Sequence, residues 1–153
     1  MELAEFLGNL GRRAGRDLWV FGYGSLMWSP GFRYSDKSTA LVRGYHRALC
    51  ILSTRYRGTP ERPGLVMGLC RGGSCWGMVF RIPAGHVAHA LGRLWHREMR
   101  RRVYYARLVP VRISRGRRIR ALAFIADPDH AQYCRELDLH SRAQLATWVT
   151  QQG

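Results

Sequence analysis

The sequence predicts an α+β fold: a small mixed, mostly antiparallel β-barrel with flanking helices. Three observations predict it. Apolar runs rich in β-branched and aromatic residues recur between 18 and 126, separated by Gly, Pro and Ser. A single long helical pattern, at 85–102, interrupts these runs. Because antiparallel strands in this number protect their edges by closing on themselves, a barrel follows.

The first half of the domain is predicted to consist of strands. We expect a strand at 18–23 and an extended pair at 39–53, where apolar residues recur at strand spacing. Residues 54–63 are polar and rich in Gly, Pro and Arg, which is typical of a surface excursion.

The strands that follow are bounded by turn signals. Strands are expected at 64–70 and 75–82, with a two-glycine hairpin signal between them at Arg71-Gly72-Gly73-Ser74. After the helix, strands at 103–114 and 118–126 are expected on either side of a second glycine-containing turn.

The two ends of the chain are predicted to differ from this domain. Residues 1–17 are interrupted by three glycines and are expected to be an N-terminal extension, mobile or loosely docked. The domain proper is expected to span 18–153, and a short helix is expected at 141–151 with Ser141 as its N-cap. At 153 residues the chain has the length of one domain.

The run WVFGYGSLMW at 19–28 carries the strongest functional signal, because an apolar strand pattern leads directly into glycines beside Tyr23 and Ser25. Glycine permits positive φ and close approach to a ligand, so the amides of Gly24, Ser25 and Leu26 are expected to converge on a carboxylate or an oxyanion. An ordinary strand-to-loop turn is the alternative. Ser25 is interpreted as a positioning hydroxyl, since its surroundings depart from G-x-S-x-G.

A carboxylate continues the apolar stripe of the predicted helix. The positions on the stripe are Val87, Leu91, Leu94 and then Glu98. A carboxylate on a buried face is desolvated, which raises its pKa and suits it to proton transfer near neutral pH. The alternative is an exposed ion pair between Glu98 and Arg101 or Arg102, three and four positions further on. Nearby arginines lower the pKa of a carboxyl, and the sequence does not rank the two effects.

Four blocks of residues occur in the order and spacing of a known family. They are FGYGSLMW at 21–28, Ser53 with RGTPERPG at 57–64, CWG at 75–77, and Arg97-Glu98. On these blocks, residues 18–127 resemble the ChaC-type γ-glutamylcyclotransferases. The resemblance implies a lyase of glutathione catabolism, which cleaves a γ-glutamyl amide, typically glutathione, to 5-oxoproline and cysteinylglycine. It also implies a barrel with a pocket at one end, no metal and no organic cofactor. The family usually has a longer helical tail beyond Ala126, so the C-terminal tail is expected to be short.

The resemblance and the chemistry assign the same roles. The substrate's own α-amine is the nucleophile in this reaction, so the enzyme needs only to orient the substrate, hold the oxyanion and move protons. Glu98 is expected to act first as general base and then as general acid. Family members carry a pocket tyrosine near this point, and of Tyr104 and Tyr105, which strand alternation sends to opposite faces, we select Tyr105. The residues expected to bind substrate are Phe21, Gly22, Tyr23, Gly24, Ser25, Leu26 and Tyr105.

The net charge of +15 raises a competing hypothesis, which is nucleic-acid binding through a basic face. Lys37 is the only lysine, and no helix-turn-helix, RNP-type strand, zinc finger or heptad array occurs. We therefore expect a small-molecule γ-glutamyl substrate and no nucleic-acid partner. Two alternatives stay open: a cyclotransferase for other γ-glutamyl amines or dipeptides, and a non-catalytic binding protein for nucleic acid or an acidic partner.

The cysteines and the hydropathy pattern indicate the cellular compartment of the protein. The four cysteines, at 50, 70, 75 and 134, fit no zinc spacing and are expected to be reduced packing residues. No apolar run of 18 residues and no signal-peptide pattern occurs, so we expect a cytoplasmic protein without a membrane partner. The sequence leaves the oligomeric state open.

Overall fold

The computed structural model describes residues 5–6, 16–27, 30–53, 64–99, 104–114 and 116–129. The strands in these ranges are β1 (Leu18–Gly22), β2 (Asp36–Ser53), β3 (Gly64–Ile82), β4 (Tyr104–Ile113) and β5 (Arg118–Ala126). The helix α1 spans Val87–Glu98, and short 3₁₀ turns lie at Ser25–Met27 and Ala84–His86. Among the described residues, no helix is both long enough and apolar enough to cross a membrane.

The five strands form a closed barrel in the order β1, β3, β2, β4, β5. Four of the pairings are antiparallel, and the barrel closes through a parallel pairing of β1 with β5, in which Trp19 lies opposite Ala121. A mostly antiparallel barrel with one parallel seam is the mixed barrel that the sequence predicted.

The predicted hairpin at 71–74 is wrong. Gly72 and Gly73 have positive φ, 101° and 71°, but they lie inside the single long strand β3. Opposite them the register with β2 shifts between Arg43 and Tyr45, so the two glycines form an irregularity in the ladder. The predicted pair at 39–53 is likewise part of one strand of 18 residues, which pairs with β3 from Asp36 to Ser53 apart from two register shifts.

Two apolar clusters determine where the helix lies. The barrel interior is filled by side chains such as Phe21, Val42 and Val79, all fully buried. Outside the barrel, Leu91 and Leu94 of α1 pack over β1 and β5, as the helical spacing predicted. Burying a leucine of this kind contributes about 1.5–3 kcal/mol, so the two together hold the helix against the strands. The members of this outer cluster include Val20, Leu122, Phe124 and Trp95.

Two parts of the N-terminal segment, residues 5–6 and 16–17, are described, and both contact the domain; whether the segment is mobile or loosely docked stays a prediction. The Phe6 ring lies 5.1 Å from the Trp95 ring between centroids, and Phe6 is buried. Asp17 accepts hydrogen bonds from the Arg81 side chain at 2.7 Å and from the Ala84 amide at 2.9 Å. The boundary at residue 17 stays a prediction.

Candidate active site

The candidate site begins where β1 ends and the chain turns sharply. The Met27 amide donates to the Gly24 carbonyl at 2.9 Å and closes the 3₁₀ turn. In such a turn the amides before the first closed ring have no partner within the turn, so those of Gly24 to Leu26 are the ones free of intrahelical bonds. The amides that the sequence singled out thus lie in a 3₁₀ turn, and their role as donors to a ligand stays a prediction.

Two glycines permit this turn to pack closely. A Cβ on Gly22 would lie 2.8 Å from the Leu26 Cβ, which is shorter than real Cβ contacts allow. A Cβ on Gly77 in β3 would collide with the Gly22 carbonyl and lie 2.6 Å from the Phe21 ring. Gly77 belongs to the CWG block, and an isolated glycine inside a strand pattern is a signal of such close backbone approach.

The expected positive φ in this loop is not observed. Neither Gly22 nor Gly24 has it, and the described glycines with positive φ lie elsewhere in the chain. Gly22 is required by the close approach of Leu26 rather than by its own backbone angle. Next to Gly24, a Cβ would have no atom within 4 Å, so space is open on that side of the turn.

Glu98 ends α1 on the apolar side of the helix. Its side chain is 17% exposed, and burial raises the pKa of the carboxyl above its ordinary value, although the Arg97 guanidinium opposes the shift. Arg97 Nε lies 3.6 Å from a Glu98 carboxylate oxygen. Desolvation thus outweighs the neighbouring cation, which was the ranking that the sequence left open. The alternative pairing with Arg101 or Arg102 stays a prediction, because both arginines lie outside the described residues.

Two tyrosines lie within electrostatic range of Glu98. Burial raises the pKa of Tyr23 well above its ordinary value, and electrostatic interactions with Tyr104 and Glu98 raise it further. Burial likewise raises the pKa of Tyr104, with Glu98 adding to the effect. The Tyr23 hydroxyl donates to the Phe124 carbonyl at 3.0 Å, and the Tyr104 hydroxyl donates to the Met67 carbonyl at 3.2 Å. Both phenols stay neutral near pH 7, and because each already donates its single O–H to a backbone carbonyl, each oxygen can still accept a hydrogen bond.

The other predicted substrate-binding residues occupy distinct positions. Phe21 is fully buried in the barrel interior, and Leu26 is buried against the helix, so each offers a ligand only its backbone. Tyr105 is half-buried and packs against the barrel interior. Ser25 lies in the 3₁₀ turn, and its side chain is outside the part of the chain that the structure describes.

The sequence did not predict one pair of residues near these tyrosines. Cys50 in β2 and Cys70 in β3 have sulfurs 3.0 Å apart, and both thiols add to the rise in the pKa of Tyr104. No disulfide joins the three described cysteines, and their redox state stays a prediction. The approach of Cys50 and Cys70 depends on an irregular strand register, which no sequence spacing reveals.

The grouping has the components of an acid–base site. A carboxylate whose pKa burial raises interacts electrostatically with two neutral phenols, and one of these, Tyr23, directly precedes the turn after β1. No grouping of three His, Cys, Asp or Glu side chains suited to a metal ion occurs within the described ranges.

Comparison with known proteins gives consistent matches. The family model described as "ChaC-like protein" matches residues 18–153. The glutathione-specific γ-glutamylcyclotransferase of Escherichia coli is 38% identical over 128 residues, which cover 84% of this chain and 54% of that protein. The corresponding protein of Schizosaccharomyces pombe is 33% identical over 147 residues, covering 84% of this chain and 71% of the relative.

A solved structure shares the fold. The crystal structure of a γ-glutamylcyclotransferase specific to glutathione from yeast has a TM-score of 0.76 at 21% identity, covering 84% of this chain and 77% of that one. Glutathione-specific γ-glutamylcyclotransferase 1 of Homo sapiens is 36% identical over 125 residues, which are 76% of this chain and 54% of the human protein. The chain thus spans about half the length of the first curated relatives that it matches.

Proposed function

Because the chain belongs to the ChaC-like family, we propose that it is a γ-glutamylcyclotransferase that cleaves glutathione to 5-oxoproline and cysteinylglycine. The observation that carries the proposal is Glu98, a carboxylate whose pKa burial raises despite an adjacent arginine. Relatives named as glutathione-specific support glutathione as the substrate. The net charge of +15 favours the approach of an anionic peptide.

The reaction needs no protein nucleophile. The α-amine of the γ-glutamyl group attacks the side-chain carbonyl carbon of the same residue, and a five-membered ring closes. Holding the two groups in one geometry supplies effective molarities of about 10⁵ M or more, so orientation provides much of the rate. We assign this orientation to the turn after β1, with the amides of Gly24 to Leu26 binding the α-carboxylate or the developing oxyanion.

Glu98 performs both proton steps. As a carboxylate it accepts a proton from the substrate ammonium, which frees the amine lone pair for attack. The protonated carboxyl then donates to the amide nitrogen of the departing cysteinylglycine as the C–N bond breaks. A raised pKa brings the two protonation states closer in free energy near neutral pH, which suits a group that alternates between them.

We propose Tyr104 as the tyrosine that contacts substrate beside Glu98. Glu98 raises the pKa of Tyr104, so the two groups interact, and the Tyr104 hydroxyl already has one fixed partner in the Met67 carbonyl. Tyr105, selected from the sequence, packs against the barrel interior and stays a prediction.

The test is 5-oxoproline release from glutathione by the parent and by Glu98→Gln. We expect Glu98→Gln to lose about 10²–10⁴-fold in kcat, because a general base of this kind supplies that factor. Glu5→Gln is the matched control, since Glu5 is exposed, and it should leave the rate unchanged. The acid limb of the kcat/KM profile should lie above the ordinary pKa of a glutamate, since base catalysis requires the ionised carboxylate.

Parallel assays with γ-glutamyl-alanine measure the specificity. Release from that compound but not from glutathione would replace the glutathione assignment with one for other γ-glutamyl amines. A well-folded parent that acts on neither would refute the enzyme and leave a binding protein on the same scaffold. We also propose the cytoplasm as its location, because no disulfide joins the described cysteines and the proposed substrate is the reduced thiol peptide.

A further inference from the structure

Two buried cysteines form a close pair on adjacent strands of the barrel. The sulfurs of Cys50 and Cys70 are 3.0 Å apart, about 1 Å more than a disulfide bond. Cys50 is fully buried, and Cys70 is 6% exposed. The two residues lie on adjacent strands and are separated by 20 positions in the chain, so closure of the bond would join β2 to β3.

The backbone at Cys50 is irregular in a way that permits this closure. Leu49 pairs with Met67 and Ile51 pairs with Val66, so Cys50 is the extra residue where the register shifts. A bulged residue can move without disrupting the pairs of a regular ladder. On β3, a Cβ on Gly68, the register partner of Ala48, would lie 2.7 Å from the Cys50 sulfur, so the glycine provides the space that the sulfur occupies.

This pair is linked to the candidate site through Tyr104. The Tyr104 hydroxyl donates to the carbonyl of Met67, the residue that pairs with Leu49 beside the bulge. A shift of about 1 Å at Cys50 therefore acts on the strand segment that fixes the Tyr104 hydroxyl. A misplacement of about 1 Å near a reacting group lowers a rate by up to about 10²-fold.

We propose that Cys50 and Cys70 form a reversible disulfide that lowers the activity of the site, a regulation that rests on the proposed cyclotransferase function. The oxidant is a hydroperoxide small enough to reach a buried thiol. The Cys70 sulfur attacks a peroxide oxygen, the O–O bond breaks, and a sulfenic acid and one water form from hydrogen peroxide. The Cys50 sulfur then attacks the sulfenic sulfur, the S–O bond breaks and a second water leaves. The two thiols lose two electrons in total, and exchange with two molecules of an external thiol restores them.

Cys75 provides a matched control within the same chain. It is 5% exposed, close to the value for Cys70, but its sulfur interacts with the Trp76 carbonyl at 3.4 Å instead of with a second thiol. A specific dithiol reaction should thus spare Cys75, whereas unspecific oxidation of buried thiols should not.

The first test is chemical and needs no turnover. The parent is treated with hydrogen peroxide, its remaining thiols are alkylated, and intact mass with peptide mapping identifies any bond. In the parent and in Cys75→Ala we expect a disulfide-linked Cys50–Cys70 peptide whose mass is 2 Da below the sum of the two reduced, unalkylated peptides. We expect no such peptide in Cys50→Ala or Cys70→Ala. A treated parent in which Cys50 and Cys70 are both still alkylated, or in which the bond involves Cys75 or Cys134, would overturn the site. Because the parent is mapped directly, this result does not depend on how the variants fold.

The second test measures the consequence for turnover. Initial rates of 5-oxoproline release from glutathione are compared before oxidation, after oxidation and after dithiothreitol, with the thiol state quenched by alkylation at each point. We expect at least a tenfold loss on oxidation, full recovery on reduction, and no loss in Cys50→Ala. A mapped disulfide with an unchanged rate would overturn the regulation. A mapped disulfide in a chain whose reduced form is inactive would refute the proposed function while supporting the dithiol site.

Discussion

Separate substitutions of Gly22 and Gly24 by alanine distinguish the packing role of the turn after β1 from its proposed role in binding substrate. In Gly22→Ala the new Cβ would lie 2.8 Å from the Leu26 Cβ, whereas ordinary contacts begin at 3.4 Å. The turn must therefore move by about 0.6 Å, the difference between these two distances. Overpacking of this kind costs about 1–3 kcal/mol. At about 2–4 °C per kcal/mol for a chain of this size, the melting temperature should fall by roughly 2–12 °C.

Gly24→Ala should leave stability unchanged or slightly higher and should lower kcat/KM instead. Its Cβ would have no atom within 4 Å, and Gly24 does not have positive φ, so no strain is introduced. Restriction of the unfolded chain would add about 0.4–1 kcal/mol of stability at most. If the substrate occupies the open space beside the turn, the same methyl group lowers kcat/KM by at least tenfold.

Thermal unfolding and 5-oxoproline release, measured on the same preparations, test both parts. Gly92→Ala in α1 is the control, because its Cβ would also have no atom within 4 Å and alanine favours the helix by about 1 kcal/mol. A Gly24→Ala protein with normal kcat/KM would refute substrate binding at this turn. An unchanged melting temperature in Gly22→Ala would show that the turn does not need the close approach.

Two further predictions concern Glu98 and the tyrosines. Because the folded state raises the pKa of Glu98, ionisation disfavours folding, and this loss of stability develops as pH rises from the unfolded to the folded pKa. Glu98→Gln should therefore melt above the parent at pH 8, with the difference vanishing at pH 3; a lower melting temperature at pH 8 would contradict the desolvation. Tyr104→Phe should lose about 1 kcal/mol of stability with its bond to the Met67 carbonyl, and should lower kcat/KM at least tenfold more than Tyr105→Phe does. A larger loss in Tyr105→Phe would restore the choice made from the sequence.

The sequence predicted the barrel and its helix because both depend on local periodicity. Leu91 and Leu94 recur at helical spacing, and a helix that buries them leaves Glu98 on the buried side. The strands β4 and β5 were predicted within a residue or two for the same reason. The turn at 71–74 was mispredicted because two glycines signal a hairpin and a bulge alike, and only the pairing of β2 with β3 distinguishes them.

Properties of the site that depend on three-dimensional contacts could not be predicted from the sequence. The pKa of Glu98 depends on the balance between burial and Arg97, and that balance requires the actual packing of α1. The choice between Tyr104 and Tyr105 depends on which strand face meets the helix end. The approach of Cys50 to Cys70 follows from a register shift that pairwise spacing does not encode.

The parallel seam between β1 and β5 has a consequence for how the chain folds. Trp19 and Ala121 pair although they are 102 positions apart in the sequence, so the barrel closes only after β5 has been synthesised. Contacts of such high sequence separation slow folding, because the entropy of a long loop is lost before any of them forms. The surface on which α1 lies includes Leu122 and Phe124 of β5, so Glu98 reaches its buried position late in folding. A nascent chain that has not yet completed β5 therefore contains Glu98 without the environment that raises the pKa of its carboxyl.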